Sequence, residues 1–216
     1  MTLSFNCIFL FCLGKTFFLV KLLRHRHLLI HSCPPNIFLY YTHHQPLYDL
    51  MIKENLITSA KKGLPTHEEL KTLGRTYKNK GGTLVLLDDC YQALEGDDLA
   101  TLFAETVHHL NMSIVLILQT LFNTRSKSMR IISINTQYLI LFKMNRDLSQ
   151  IMSLGMQVRP YDPSYIVKAY LSATRSNYNY LLMDFSSRQN PALRLRSRIF
   201  LDEQPMIVFL ENSFKS

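Results

Sequence analysis

Three polar groups in this sequence carry side chains that can bind phosphate and a divalent cation. In chain order they are Gly14-Lys15-Thr16, the pair Asp88-Asp89, and Gln119. A lysine can neutralise phosphate charge, and a hydroxyl together with a carboxylate can hold Mg²⁺. A second carboxylate can polarise a water molecule, and an amide can orient it. The combination points to Mg²⁺-dependent phosphate chemistry.

Each of these groups follows an apolar run with the composition of a buried β-strand. The runs are residues 5–11, 83–87 and 113–118. The carboxyl ends of parallel strands lie along one edge of a sheet, where nucleotide phosphates and Mg²⁺ bind. We therefore expect the three groups to meet at that edge, as in a P-loop ATPase whose sheet contains an additional strand.

The segment before Gly14 departs from the usual phosphate-loop pattern. The pattern places another glycine five positions earlier, and here that position is Phe9. No residue from Phe9 to Leu13 is small enough to make tight loop curvature easy. Phenylalanine adopts positive φ only at a cost, so we expect the loop to be strained or differently shaped. Gly-Lys-Thr also occurs by chance, and its position between a strand and an apolar helix favours the phosphate-loop interpretation.

The two aspartates and the glutamine are expected to have different catalytic roles. Asp88 is expected to hold Mg²⁺ through water together with Thr16, and Asp89 to polarise the attacking water. Asp89 is a shorter base than the glutamate more common at this place. Gln119 could orient that water. The alternative for the pair is a solvated acidic turn, and for Gln119 a satisfied amide at a strand end.

Several arginines are candidates for contacts with phosphate. Arg146 follows a predicted strand and could stabilise the charge on a nucleotide bound by a neighbouring subunit, with Arg130 as the second candidate. Each could equally be an ordinary surface arginine. Three arginines alternate along the last predicted strand and are candidates to contact DNA: Arg194, Arg196 and Arg198.

Alternating strands and helices predict the α/β class, with a mostly parallel sheet and helices on both faces. Further strands are predicted at 37–41, 138–143, 180–185 and 193–200, and helices at 16–29, 68–73, 99–110 and 147–155, with two more opening near 46 and at 163. Thr66 is a predicted N-cap, and Gly155 a predicted helix stop. The domain is expected to span residues 1–200, and 201–216 a C-terminal tail.

Composition and charge restrict the classes of protein. With 216 residues, 47% hydrophobic and 19% charged, the chain suits one globular domain. The net charge is +8, yet residues 81–124 carry six acids and no lysine or arginine. An acidic centre in a basic body suits a Mg²⁺ site in a protein that meets a polyanion, although a basic protein of no special partner fits equally.

Cysteine spacing and hydropathy bear on metal binding and location. The four cysteines form no CxxC pair, so zinc is not expected and buried free thiols are. The apolar N-terminus lacks a preceding positive charge and is interrupted by Lys15. This pattern argues against a signal peptide or a membrane anchor, so an intracellular, virion-associated, nuclear or cytoplasmic protein is expected rather than a secreted one.

Longer segments resemble one protein family in their amino-acid sequence and in their order along the chain. They are residues 34–35, 40–41, 45–49, 63–65, 108–122, 130–135, 138–143, 145–151, 180–184 and 194–200. With the three polar groups they cover about residues 5–200. They resemble the packaging ATPases of the FtsK/HerA superfamily, closest to the group found in Maverick/Polinton-type elements and related large DNA viruses.

This resemblance implies a RecA-like P-loop NTPase that forms a homo-oligomeric ring and drives double-stranded DNA into a capsid. ATP and Mg²⁺ are the implied cofactors, and a capsid protein is a possible partner. It implies Lys15 and Thr16 as phosphate and Mg²⁺ residues, Asp88-Asp89 as the acidic pair, Gln119 as sensor and Arg146 as finger. The family carries Gly-Pro and small residues where this chain has 9–13.

Three interpretations remain open at this point. The first is a working ATP-driven DNA translocase, and the second is a non-hydrolysing relic of the same fold that binds DNA or self-associates. The third is an unrelated protein anchored by its apolar N-terminus. Retention of the polar groups favours the first, Phe9 favours the second, and hydropathy alone favours the third.

Overall fold

The computed structural model describes residues 7–11, 14–30, 32–89, 110–118, 134–144, 148–186, 190–203 and 205–210. Its strands are β1 (Cys7–Phe11), β2 (Asn36–Tyr41), β3 (Ser59–Lys62), β4 (Thr83–Asp88), β5 (Met112–Leu118), β6 (Tyr138–Phe142), β7 (Tyr180–Asp184), β8 (Leu195–Ser197) and β9 (Ile207–Val208). Its α-helices are α1 (Lys15–Arg24), α2 (Arg26–Leu29), α3 (Pro46–Lys53), α4 (His67–Tyr77), α5 (Leu148–Val158) and α6 (Pro163–Ala173). The predicted helix at 99–110 lies almost wholly outside the described residues.

These strands form one sheet in the order β3-β2-β4-β5-β1-β6-β7-β8-β9. The first six strands in this order are parallel to one another, and the pairs β6–β7, β7–β8 and β8–β9 are antiparallel. Because β5 lies between β1 and β4, an additional strand separates the strand that precedes Gly14 from the acidic strand. The predicted α/β class and mostly parallel sheet are confirmed.

Helices cover both faces of the sheet, each over its own apolar core. One core contains Leu70 of α4, Ile151 of α5 and Ala169 of α6. The other contains Leu19 of α1 and Met51 of α3. Every residue of β4, β5 and β6 is buried. Strands covered on both faces read as continuous apolar runs, which is why the sequence reveals them so clearly.

Two helices differ from the prediction for local reasons. The expected single helix at 16–29 is divided at His25, whose ring nitrogen Nδ1 lies 2.9 Å from the carbonyl oxygen of Lys21. Gly155 does not stop α5, which continues to Val158. A Cβ at Gly155 would lie 2.7 Å from the carbonyl oxygen of Pro163, so this glycine permits close contact between the helix and the start of α6. The Thr66 cap is confirmed, since its hydroxyl accepts a hydrogen bond from the amide of Glu69.

The C-terminal part also differs from expectation. The strand expected at 193–200 is shortened to β8, because a 3₁₀ turn occupies Pro191–Leu193 and Arg198 has φ +57°. Residues 201–216 were expected to be a tail, yet β9 pairs with β8. The hydroxyl of Tyr165 donates a 2.7 Å hydrogen bond to the carbonyl of Phe209. The sheet therefore extends beyond residue 200.

Hydropathy raised the question of a membrane segment at the N-terminus. Within the described ranges, the structure contains no helix with the length and apolar character needed to cross a bilayer. Five apolar residues of α1 pack into one of the two cores, and Phe17 is exposed.

Candidate functional site

The candidate site lies at the carboxyl edge of the parallel strands. β1 leads through Gly14 into α1, whose first residue is Lys15. Gly14 has φ +99°, a conformation that glycine adopts without strain and that turns the chain into the helix. The N-terminus of a helix attracts anions, because its unpaired N–H groups and its dipole favour negative charge.

Lys15 extends across the end of the neighbouring strand. Its ammonium group donates a 2.9 Å hydrogen bond to the carbonyl of Leu118, the last residue of β5. Since β5 separates β1 from β4, the positive charge is held between the start of α1 and the acidic strand end. The structure thus places Lys15 beside the edge where the sequence predicts phosphate binding.

Thr16 and Asp88 come together from elements 72 residues apart. The Thr16 hydroxyl oxygen lies 3.5 Å from Oδ2 of Asp88, and Asp88 is only 3% exposed. A hydroxyl and a carboxylate are oxygen groups of the kind that Mg²⁺ binds, directly or through water, and here they lie side by side. Mg²⁺ usually keeps several waters and takes one or two protein ligands, so the pair would suffice.

Two residues of the segment after β2 also contact Asp88, and sequence reasoning did not assign them to the site. The Tyr48 hydroxyl donates a 2.6 Å hydrogen bond to Oδ2, and the Gln45 amide lies 3.5 Å from the same oxygen. Burial raises the pKa of Asp88 above its usual value, while the Tyr48 hydrogen bond and the charge of Lys15 act in the opposite direction. A bound cation would offset the remaining cost of burying this carboxylate.

Asp89 has a different environment from its neighbour. Its φ is +56°, and its amide donates a 3.1 Å hydrogen bond to the carbonyl of Ile117. Its side chain is 31% exposed, with Oδ2 3.8 Å from Nδ1 of His43. One carboxylate is therefore buried near Lys15 and Thr16, while the next is partly exposed to water. Two carboxylates in unlike environments suit the separate roles of cation ligand and base.

The segment before Gly14 differs from a full phosphate loop. Phe9 lies in the middle of β1, where it pairs with Leu116 on one side and Leu139 on the other. The strand continues to Phe11, so three residues separate it from Lys15. Phe9 therefore belongs to the strand that the apolar run 5–11 predicts, and it does not begin a phosphate loop. Backbone groups at 9–11 take part in the sheet ladders, which leaves a shorter segment to surround a phosphate.

The arginines predicted at the site divide into two groups. Arg146, the alternative Arg130 and the sensor Gln119 lie outside the described residues. Arg196 is 1% exposed and forms an ion pair with Asp184 of β7. This burial is at odds with the expectation that Arg196 contacts DNA. Arg194 and Arg198 are half-buried at the two ends of β8.

The fold is similar to that of solved viral genome-packaging NTPases. The chain aligns with the genome packaging NTPase B204 of Sulfolobus turreted icosahedral virus 2 in complex with sulfate, with a TM-score of 0.58 and 11% identity, over 88% of this chain and 95% of that chain. The complex of the same protein with ATP-gammaS aligns with a TM-score of 0.54 and 13% identity, over 85% of this chain and 94% of that chain. The complex with AMPPCP aligns with a TM-score of 0.56 and 12% identity, over 86% of this chain and 94% of that chain.

This chain has the fold of a viral genome-packaging NTPase. No protein-family model matches the sequence, and no curated protein matches it either. The likeness at 11–13% identity concerns the fold. The finer grouping with Maverick/Polinton-type elements and the FtsK/HerA superfamily stays a prediction.

Proposed function

We propose that this protein is a nucleotide-binding, ATP-dependent motor that packages double-stranded DNA. The observation that carries the proposal is the meeting of Lys15, Thr16 and Asp88 at one end of the sheet. The genome packaging NTPase B204 of Sulfolobus turreted icosahedral virus 2, which shares this fold, was solved with ATP-gammaS and with AMPPCP. The shared fold supports the same class of activity here.

In this proposal the start of α1 binds the phosphates. Gly14 brings the backbone close, and the amides at the helix start face the negative charge. Lys15 exchanges the Leu118 carbonyl, 2.9 Å away, for phosphate oxygens, which are stronger acceptors because they are charged. Thr16 and Asp88 would hold Mg²⁺, which neutralises charge on the transferring phosphate when it is bound.

Asp89 is the proposed base for the attacking water. Its exposure allows it to meet a water molecule, and the nearby His43 imidazole supplies a second polar group. Gln119 is proposed to orient that water and Arg146 to reach a nucleotide in the next subunit of a ring. These two roles rest on the sequence, as does the proposed capsid partner.

DNA binding in this proposal depends on charge and not on base reading. The net charge of +8 favours contact with phosphates, which position DNA without selecting its sequence. Of the three arginines expected to contact DNA, Arg194 and Arg198 remain candidates. A ring of identical subunits would surround the duplex.

A second candidate function is a non-hydrolysing relic that retains DNA binding or self-association. The pairing of Phe9 within β1 favours it, because a shortened loop offers fewer free amides to the β- and γ-phosphates. The two candidates share the fold and differ in turnover.

Both candidates are tested by ATP binding and hydrolysis of the purified full chain with Mg²⁺, with and without duplex DNA. Lys15→Ala and Asp89→Asn are the test variants. Lys53→Ala is the control for a lost lysine charge, because Lys53 is exposed at the end of α3. Asp49→Asn is the control for Asp89, because Asp49 is an exposed carboxylate 3.2 Å from a histidine ring nitrogen.

The motor proposal predicts DNA-stimulated turnover that both test variants reduce by about 10²-fold or more and both controls preserve. ATP binding without turnover would favour the relic. A parent protein that binds neither ATP nor triphosphate would refute nucleotide binding altogether.

A further inference from the structure

An exposed tyrosine lies against the start of α1, and none of the proposed roles uses it. Tyr178 is 73% exposed and belongs to the connection between α6 and β7. Its ring atom Cδ1 lies 3.4 Å from the position that a Cβ on Gly14 would occupy. The Phe142 ring lies 3.7 Å from the same position. An aromatic surface therefore borders the glycine that the proposed function places beside the phosphates.

The sheet order places this tyrosine and the acidic pair on opposite sides of the phosphate-binding helix start. β4, which carries Asp88, is two strands from β1 in one direction. β7, which follows Tyr178, is two strands from β1 in the other direction. A nucleoside triphosphate is elongated, with Mg²⁺ and the terminal phosphate at one end and the base at the other. If the terminal phosphate faces Asp88, the base extends toward Tyr178.

We propose that Tyr178 is the platform on which the nucleotide base stacks, so that the site selects nucleotides over bare polyphosphate. This inference rests on the proposed nucleotide-binding function and specifies one of its contacts. Stacking is tolerant of base identity because every base has a π-face. Tyr178 accordingly distinguishes a nucleoside triphosphate from inorganic triphosphate and discriminates weakly among bases.

The backbone conformation of Tyr178 sets the direction in which its side chain leaves the chain beside Gly14. Tyr178 has φ +65°, a left-handed conformation that is uncommon for a bulky residue. Its ring lies beside Gly14, and most of its surface faces solvent, which leaves a ring face available to a base.

The test is calorimetric titration of ATP and of inorganic triphosphate, each with Mg²⁺, into the full-length parent, Tyr178→Ala and Tyr178→Phe. Tyr161→Ala is the control, because Tyr161 is fully exposed on the turn between α5 and α6. Tyr178→Ala is expected to weaken ATP binding about 5- to 150-fold, the range for one base on one aromatic ring. Its triphosphate affinity is expected to stay within about twofold, and Tyr178→Phe and the control to bind ATP like the parent.

Two results would overturn the platform while leaving nucleotide binding intact. One is unchanged ATP affinity in Tyr178→Ala, and the other is an equal loss of ATP and triphosphate affinity. A parent that binds neither ligand would refute the proposed function itself, and the platform with it. Thermal unfolding of each variant checks that the alanine protein is folded under the titration conditions.

Discussion

Tyr48 and Asp88 are joined by a 2.6 Å hydrogen bond in which the buried phenol donates to Oδ2 of the carboxylate. The same oxygen lies 3.5 Å from the hydroxyl of Thr16. Tyr48 of helix α3 therefore orients Asp88, and Thr16 of helix α1 contacts the same carboxylate at the end of the sheet. The candidate Mg²⁺ ligand is positioned by a residue that need not touch nucleotide or cation.

Replacing Tyr48 with phenylalanine should destabilise the protein. The change removes a hydrogen bond to a buried charged group, which typically contributes about 1.5–3 kcal/mol. The loss in free energy of unfolding should be larger at neutral pH than at acid pH, where Asp88 is protonated. Urea unfolding at both pH values measures it, with Tyr161→Phe at a fully exposed position as control. Equal stability of parent and Tyr48→Phe at neutral pH would contradict the role of this bond.

Replacing Asp88 with asparagine should remove function while preserving or raising stability at neutral pH. Burial raises the pKa of Asp88 in the folded state. Because the pKa is higher in the folded state, the group contributes to the free energy of unfolding in full at pH values below its unfolded-state pKa. That stabilising contribution is lost as the pH rises through the folded-state pKa. Asparagine does not ionise, so the Asp88→Asn protein does not lose this stability as pH rises. Each kcal/mol of unfolding free energy gained relative to the parent would raise Tm by about 2–4 °C.

Thermal unfolding of parent and Asp88→Asn from about pH 3 to pH 8 checks the sign of this effect. The difference in Tm should shift in favour of the variant as pH rises. Mg²⁺-dependent ATP affinity, measured on the same samples, should fall. A variant that loses stability relative to the parent as pH rises would show that the charged form is favoured by its surroundings.

Much of the edge of the sheet could be predicted from sequence because it is encoded locally. Apolar runs at 83–87 and 113–118 identified the strands, and the residues after them identified the edge. The contact between Tyr48 and Asp88 could not be predicted, because it joins residues 40 positions apart and follows no periodic pattern. Its segment was predicted only as the start of a helix and as part of the resemblance to the family.

Two local patterns were overridden by tertiary pairing. The motif spacing made Phe9 the first position of a phosphate loop, although the apolar run 5–11 predicted a strand there, and pairing with β5 and β6 keeps it in the strand. Alternation placed three arginines on one face of a strand. Which of them is buried depends on Asp184 in β7, and the pattern of the arginines alone contains no information about that partner.

Replacing Phe9 with glycine should weaken the protein and should not create ATPase activity. Glycine in the interior of a strand costs about 0.5–1 kcal/mol relative to alanine, and β1 pairs on both sides. Comparison of Phe9→Gly with Phe9→Ala in urea separates this backbone term from the lost side chain. Turnover that appears in Phe9→Gly alone would indicate that residue 9 acts as a loop position after all.

Replacing Arg196 should affect folding rather than DNA contact. Arg196→Ala leaves the buried carboxylate of Asp184 without its ion-pair partner, a change that typically costs about 3–5 kcal/mol. Arg198→Ala, at a half-buried position, should change stability by about 1 kcal/mol or less. If Arg198 contacts a phosphate, its loss should weaken duplex binding at all sequences and reduce the salt slope by about one. Titrations of duplex DNA into the Arg196→Ala and Arg198→Ala proteins, at a low temperature at which thermal unfolding shows both to be folded, compare their DNA affinities. An Arg196→Ala protein as stable as the parent but weakened in DNA binding would place this arginine on the DNA surface.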